Sequence, residues 1–157
     1  MNGIFMKKKE AVVAGFGIII VLLIIIQFVP VTLTNPRVES DMPAPPEVKA
    51  ILKVSCYDCH SHETLWPWYS KVAPMSWLLA SDAEEGREKL NFSSWNKYLP
   101  EKQSLLIAEA MDEVREGGMP PWFSVIKHSG AKISLDKLKV LETWAGSSQK
   151  AKTAKGE

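Results

Sequence analysis

A run of 19 residues without a charged side chain, from Ala11 to Val29, limits what this chain can fold into more than any other feature. The centre of the run consists almost entirely of Ile, Leu and Val. About 20 apolar residues are needed to cross a hydrocarbon layer as a helix. The sequence therefore predicts a transmembrane anchor over residues 11–30.

The charges beside this run predict its orientation. Three lysines at positions 7–9 precede it directly, whereas only Arg37 follows before Lys49. Because positive charge is retained on the cytoplasmic side, residues 1–10 are predicted to be a cytoplasmic tail, and everything after residue 30 to be exported. The alternative is a cleaved signal peptide, but signal sequences have shorter apolar regions and end in a small-x-small site, which this run lacks.

The exported part divides into three predicted regions. Residues 31–44 are polar and contain Pro36 and Pro43, which predicts a Pro-rich extended tether. Residues 45–148 are predicted to form one domain, and residues 149–157 a flexible tail. Without its first 35 residues the chain has 16 basic and 17 acidic residues. Nucleic-acid binding needs a strong basic excess, so no nucleic-acid partner is predicted.

The domain has helical periodicity throughout, and no alternating run is long enough for a sheet. An all-α fold is therefore predicted: a small helical domain tethered to one N-terminal transmembrane helix. Caps and breakers predict four helices. The first helix starts at Pro46 and the second near Ser76. The third runs from Pro100 to Glu116 and ends at Gly117-Gly118, and the fourth runs from an N-cap at Ser134 to Gly146.

The only two cysteines, Cys56 and Cys59, are followed directly by His60. C-x-x-C-H is the attachment signature of c-type haem. Each thiol adds to one vinyl group of the porphyrin, and two intervening residues give the sulfurs the separation of the vinyls. The adjacent histidine then supplies a proximal imidazole to the iron. One haem c, attached covalently through Cys56 and Cys59 with His60 on the iron, is predicted.

Three other interpretations of the cysteine pair compete. A redox dithiol normally follows a strand, and none is predicted before Cys56. A structural zinc site needs four ligands, so His62 and His128 would have to complete it. A plain disulfide suits an exported domain but leaves His60 without a role.

Met119 is predicted to be the second axial ligand and so a second metal-binding residue. It lies between Gly117-Gly118 and Pro120-Pro121, 59 residues after His60, far enough for the chain to reach the opposite haem face. A thioether ligand raises the reduction potential, which suits electron transfer. The alternative is a loop methionine packed against Trp122 and Phe123.

Two other residues are candidates for the same position. Met111 lies on the apolar stripe of a helix, which predicts core packing. His128 is the main rival of Met119 for the iron. The closely spaced aromatic residues from Trp66 to Tyr69 are interpreted as packing residues, with contact to the porphyrin as the functional alternative.

Four segments carry a family resemblance: Cys56 to Trp77, Glu85 to Arg87, Leu90 to Trp95, and Gly118 to Pro120. Together they resemble the bacterial haem-binding domain family of small exported cytochrome c-like proteins, over roughly residues 45–144. The resemblance implies a cytochrome c-like helical fold and haem binding at Cys56, Cys59 and His60, but no particular reaction. In similar sequences a histidine often stands at Ser81 or Asp82, and its absence here removes that ligand.

Motif and location together predict a membrane-anchored monohaem c-type cytochrome on the periplasmic face of the bacterial inner membrane. Its expected partners are a membrane or periplasmic redox protein and the cytochrome c maturation machinery. The alternative is a haem-based gas or redox sensor, or a peroxidase-like haem domain, with an open or displaceable sixth ligand. A zinc-stabilised interaction domain is a third. One-electron transfer is preferred over catalysis because His128 alone is a candidate distal acid–base group.

Overall fold

The computed structural model describes the backbone of residues 2–121 and 129–153. Within these ranges no β-strand occurs, and an isolated bridge joins Ser40 to Ser94. The prediction of an all-α fold is confirmed. The α-helices of the described ranges are α1 (Asn2–Ile25), α2 (Pro46–Ser55), α3 (Tyr57–His60), α4 (Met75–Lys89), α5 (Pro100–Glu116) and α6 (Leu135–Thr153). Short 3-10 turns lie at Ile26–Phe28, Trp68–Lys71, Trp95–Lys97 and Ser129–Ala131.

The chain alternates between two units. The first unit consists of Met1–Leu33 and Trp66–Ser81, and the second of Thr34–Leu65 and Asp82–Glu157. Helix α4 therefore contributes its N-terminal half to the first unit and its C-terminal half to the second.

The first unit contains an apolar helical segment, Lys9–Phe28, that is long enough to cross a membrane. Its mean hydropathy is 2.9, and none of its residues is buried. Length and composition are those of a membrane span, and a signal sequence near an N-terminus has the same properties.

The core of the second unit lies between α2, α5, α6 and the loop before residue 95. The predicted apolar face of α2 is confirmed, because Val48, Ile51 and Leu52 are all buried. The stripe predicted on α5 is buried at its centre, and α6 packs its own apolar residues against it. The side chains from these two helices are Leu106, Ile107, Met111, Leu141 and Ala145.

Five of the six predicted helix limits are confirmed, and the sixth is wrong. Helix α5 ends where predicted because Gly117 adopts a left-handed conformation (φ +79°), and the N–H of Gly118 donates to the Glu113 carbonyl at 2.9 Å. Ser134 caps α6 by accepting the N–H of Lys137 at 3.3 Å. Gly146 does not close α6, which continues to Thr153. A glycine inside a helix costs only about 1 kcal/mol relative to alanine, and the residues after it are helix-compatible.

Most of the predicted tether belongs to the second unit, and part of it forms backbone hydrogen bonds within that unit. The N–H groups of Glu39 and Ser40 donate to the Ser93 carbonyl at 2.9 and 3.1 Å, and that of Met42 to the Phe92 carbonyl at 2.9 Å. Met42 is only 1% exposed. This pairing was not predicted, because neither partner has the alternating pattern of a strand. Residues 39–42 are thus part of the core rather than a free spacer.

The burial of Met111 gives a test of this core. Replacing Met111 (5% exposed) with alanine is expected to lower the free energy of unfolding by about 2–5 kcal/mol, through lost burial and the cavity left behind. Leu105→Ala is the control, since Leu105 lies on the same helix and is 49% exposed; its cost should stay within about 1 kcal/mol. Urea unfolding of the full chain in detergent measures both, and equal losses would contradict the assignment of α5's buried face.

Candidate functional site

The C-x-x-C-H motif forms a tight turn between two helices. Helix α2 ends at Ser55, and Cys56 leaves the helical conformation with φ −130°. The four-residue helix α3 then begins, and the N–H groups of Cys59 and His60 both donate to the Cys56 carbonyl, at 3.2 and 3.0 Å. The backbone therefore brings together the three residues that the sequence predicted. Neither cysteine is joined in a disulfide.

The ring of His60 is fixed through one of its two nitrogens. Nδ1–H donates to the carbonyl oxygens of Gly86 at 2.9 Å and Leu90 at 3.0 Å, both on or directly after α4. A proton on Nδ1 leaves the lone pair on Nε2, the atom that binds a metal when Nδ1 is held by a backbone carbonyl. Burial lowers the pKa of His60, against the opposing effect of the two carbonyls, so the ring is neutral at pH 7.

Gly86 allows α4 to approach the motif closely. A Cβ atom built at this position would lie 2.7 Å from the Cys59 carbonyl oxygen and 3.1 Å from Cys59 Cβ. Those contacts are closer than side-chain atoms tolerate, and two of the atoms met are backbone. Only glycine therefore fits between α4 and Cys59, and the same approach carries the Gly86 carbonyl to His60.

Arg87 ties down the loop that follows the motif. Its Nε–H donates to the Ser61 carbonyl at 2.8 Å, and Nη2 donates to Thr64 Oγ1 at 2.8 Å and Asn35 Oδ1 at 3.1 Å. Nη1 reaches the Thr34 carbonyl at 2.9 Å. One planar guanidinium thus joins the exit of the motif to the start of the second unit.

Tyr57, between the two cysteines, fastens the motif to the core. It is 2% exposed, its ring stacks on Phe92 at 5.1 Å, and its hydroxyl donates to Asp41 Oδ1 at 2.6 Å. Burial and the bond to Asp41 raise the pKa of Tyr57, so the hydroxyl keeps its proton. Lys49 Nζ donates to the same hydroxyl at 2.9 Å and pairs with Asp41.

The Cys56 thiol does not have the properties of a redox-active cysteine. Burial, with a further contribution from Cys59, raises the pKa of Cys56 to about 12. Redox dithiols have at least one thiol whose pKa is lowered by positive charge or a helix N-terminus. Cys56 is therefore not the activated thiol that such a pair requires.

Met119 lies directly after the glycine pair that ends α5. It is half-buried, and its N–H donates to the Glu113 carbonyl at 3.1 Å. Its role as an iron ligand stays a prediction. His128, its rival, and the packing partners Trp122 and Phe123 lie outside the described residues.

Among the described residues of the second unit, two buried side-chain oxygens have no hydrogen-bond partner. They are Ser55 Oγ, directly before Cys56, and Asp82 Oδ2, one helical turn before Gly86. Burial, then the charge of Glu85, raises the pKa of Asp82. Unpaired buried polar atoms are costly, and they commonly mark the place of a bound group or a water. Among the described residues, no three His, Cys, Asp or Glu side chains are grouped as a metal site would require.

Sequence patterns alone did not predict which residues support the C-x-x-C-H motif. Gly86 and Arg87 entered only through the family resemblance. A glycine inside a helical pattern is a signal for close backbone approach, but it does not name the partner. His62 was not recognised either: its Nδ1 bonds to the Arg37 carbonyl and its Nε2 to Asn91 Nδ2, both at 2.9 Å.

Fold and site define a small all-α protein whose C-x-x-C-H turn presents a neutral, oriented imidazole beside two thiols. The haem-binding domain family matches residues 21–147, which is most of the chain. The chain therefore belongs to the haem-binding domain family and is a haem-binding protein, as the sequence resemblance indicated. No curated protein and no solved structure matches it.

Adding one methyl group at Gly86 should disturb the site. Gly86→Ala is expected to lower the free energy of unfolding by about 1–3 kcal/mol, because the Cβ meets the Cys59 backbone and α4 must move away from His60. Gly146→Ala is the matched control, since it also lies in a helix and its Cβ would meet nothing within 4 Å; it should gain up to about 1 kcal/mol. Chemical unfolding measures both, and changes of the same sign would contradict the close approach.

Proposed function

We propose that this protein is a membrane-anchored monohaem c-type cytochrome that carries single electrons on the outer face of the membrane. The observation that carries the proposal is the pair of hydrogen bonds from His60 Nδ1 to two backbone carbonyls, next to two cysteines at C-x-x-C spacing that form no disulfide. Membership of the haem-binding domain family supports haem as the group that the motif binds.

The residues present fit a haem c. Cys56 and Cys59 would form the two thioether bonds, and His60 Nε2 would bind the iron from one side. Met119 is proposed for the other side. When bound, haem supplies the one-electron chemistry of its iron. Two unpaired buried atoms support the presence of a further group in this region: Ser55 Oγ, directly before the motif, and Asp82 Oδ2, one helical turn before Gly86.

The protein's own contribution is to hold the imidazole neutral and in one orientation. Gly86 and Leu90 keep the proton on Nδ1, so that Nε2 needs no deprotonation before it binds iron. A backbone acceptor on the far nitrogen also raises the basicity of the ligand. His60 is partly buried, and the degree of burial is one of the means by which a protein sets a reduction potential.

Anchoring through α1 is the second part of the proposal. The span has the required length, three lysines precede it, and the chain after it lacks a small-x-small cleavage site. This predicts an N-terminus in the cytoplasm and the motif in the periplasm, where the cytochrome c maturation machinery acts. The electron partner is then a membrane or periplasmic redox protein.

Covalent attachment is tested by mass spectrometry of the full chain, produced together with a cytochrome c maturation system. The expected mass is that of the chain plus one haem, and acidic acetone should not extract the haem. Cys59→Ala should leave one thioether bond, and the change from two bonds to one shifts the pyridine haemochrome band to longer wavelength. An unmodified mass with extractable haem would show that the haem is bound without thioether bonds.

Ligation by Met119 is tested by substitution. Met119→Ala is expected to open the sixth position, shift the ferric spectrum toward high spin or water ligation, and lower the reduction potential, because a thioether favours ferrous iron. Met111→Ala is the control, since Met111 is a buried core residue that should leave iron coordination unchanged. An unchanged spectrum in Met119→Ala, with a changed one in His128→Ala, would identify His128 as the ligand.

A further inference from the structure

Beyond the apolar helix, the first unit exposes several large apolar side chains along one short segment. Trp68 is 79% exposed, and Val72, Met75 and Leu78 are each about 40% exposed. We call residues Trp66–Leu78 the aromatic segment. Soluble proteins rarely expose this many large apolar side chains close together unless the patch binds a partner or a membrane.

The aromatic segment is bonded to the end of the apolar helix. Gln27 Nε2 donates to the Ala73 carbonyl at 3.1 Å, and the Ala73 N–H donates back to Gln27 Oε1 at 3.0 Å. Nε2 also donates to the Leu23 carbonyl at 2.9 Å, which holds the side chain against its own helix. This two-way amide bond, the Gln27 clasp, fixes residue 73 beside the penultimate residue of the Lys9–Phe28 span.

The position of the clasp sets the depth of the segment in a bilayer. A span of 20 residues fills the hydrocarbon layer, so Gln27 lies where hydrocarbon gives way to headgroups. Backbone groups at that depth need internal partners, and the clasp supplies them for Ala73. Trp and Tyr are enriched at this level because an apolar ring with one polar atom suits the interface.

The composition of the segment agrees with this depth. Lys71 is the one charged residue between Trp66 and Ser81, and it lies three residues after the exposed Trp68. An exposed ring beside a lysine suits the boundary between acyl chains and phosphate groups, because the ammonium group reaches the phosphates.

We propose that the aromatic segment is a lipid-docking surface, with Trp68 inserted among the phospholipids of the leaflet in which the span ends. The occupant is phospholipid rather than a protein, since the clasp places the segment at bilayer depth, where lipid already surrounds the uncovered span. This inference rests on the proposed retention of α1 as an anchor. Its consequence is that the protein meets the membrane through two contacts, a span and an interfacial segment.

Site-specific photocrosslinking tests the proposal on the full chain in membranes of the expressing bacterium. A benzophenone amino acid replaces Trp68, and lipid adducts are quantified by mass spectrometry after illumination. Position 13 is the positive control, since Val13 is 71% exposed within the span. Position 135 is the negative control, since Leu135 is 77% exposed in the second unit. Several-fold more lipid adduct at position 68 than at position 135 is expected.

The outcomes separate the inference from the anchor on which it depends. Lipid adducts at position 13 with only background at position 68 would overturn the docking surface and leave the anchor intact. Absence of adducts at position 13 would show that the span is removed or lies outside the bilayer, and both would fail. Adducts of position 68 with another protein, in place of lipid, would also overturn the docking surface.

A second substitution tests the role of the clasp. In the Gln27→Leu variant the span stays apolar while the bonds to Ala73 are lost. We expect lipid labelling at position 68 to fall several-fold, and labelling at position 13 to stay unchanged. Unchanged labelling at position 68 would contradict the role of Gln27 in positioning the segment.

Discussion

The contact between Gly86 and Cys59 is the constraint on which the rest of the second unit's site depends. It brings α4 so near the motif that the carbonyls of Gly86 and Leu90 reach His60 Nδ1. These bonds select the tautomer and hold the ring plane. They also connect two segments more than 25 residues apart in sequence, so the site forms only when α4 has packed. Haem binding and the tertiary fold of this unit are therefore expected to be coupled.

The other contacts of the C-x-x-C-H motif fix its position relative to the core. Tyr57 holds it from the core side through Phe92 and Asp41, and Arg87 holds its exit through Ser61. The bond to Asp41 uses a buried hydroxyl and the bond to Ser61 a backbone carbonyl, and both groups are costly to leave unpaired. Neither thiol is joined in a disulfide, and burial keeps Cys56 protonated.

Much of the fold was predictable from the sequence because it depends on local signals. Pro46, Gly117 and Ser134 act through their own backbone preferences or through a neighbour within four residues, and each marks a helix end in the structure. The prediction that Gly146 ends the last helix was wrong because a glycine ends a helix only where the backbone adopts a non-helical conformation, and here the helix continues. Met42 was placed in a tether since its burial depends on Phe92, 50 residues away.

For the site, the motif was predictable and its supporting residues were not. Two cysteines and a histidine at fixed spacing carry their chemistry within five residues. By contrast, Gly86 and Leu90 act through backbone carbonyls, which every residue possesses, so no side-chain pattern announces them. Only the three-dimensional path of α4 shows which carbonyls are used. Gly86 lies in one of the segments that resemble the haem-binding domain family. The reason for a glycine there is structural: a Cβ atom at this position would collide with the backbone of Cys59.

Helix α4 joins the two roles proposed for this protein in one continuous element. Its N-terminal half, from Met75 to Ala80, has no charged residue, whereas six of the eight residues from Asp82 to Lys89 are charged. The change in composition falls at the boundary between the two units, after Ser81. An uncharged half suits the interfacial environment proposed for the aromatic segment, and a charged half suits water. The half with the charges is also the one that supplies Gly86, so the residue that orients His60 lies on the water-compatible end of a helix whose other end is proposed to meet lipid.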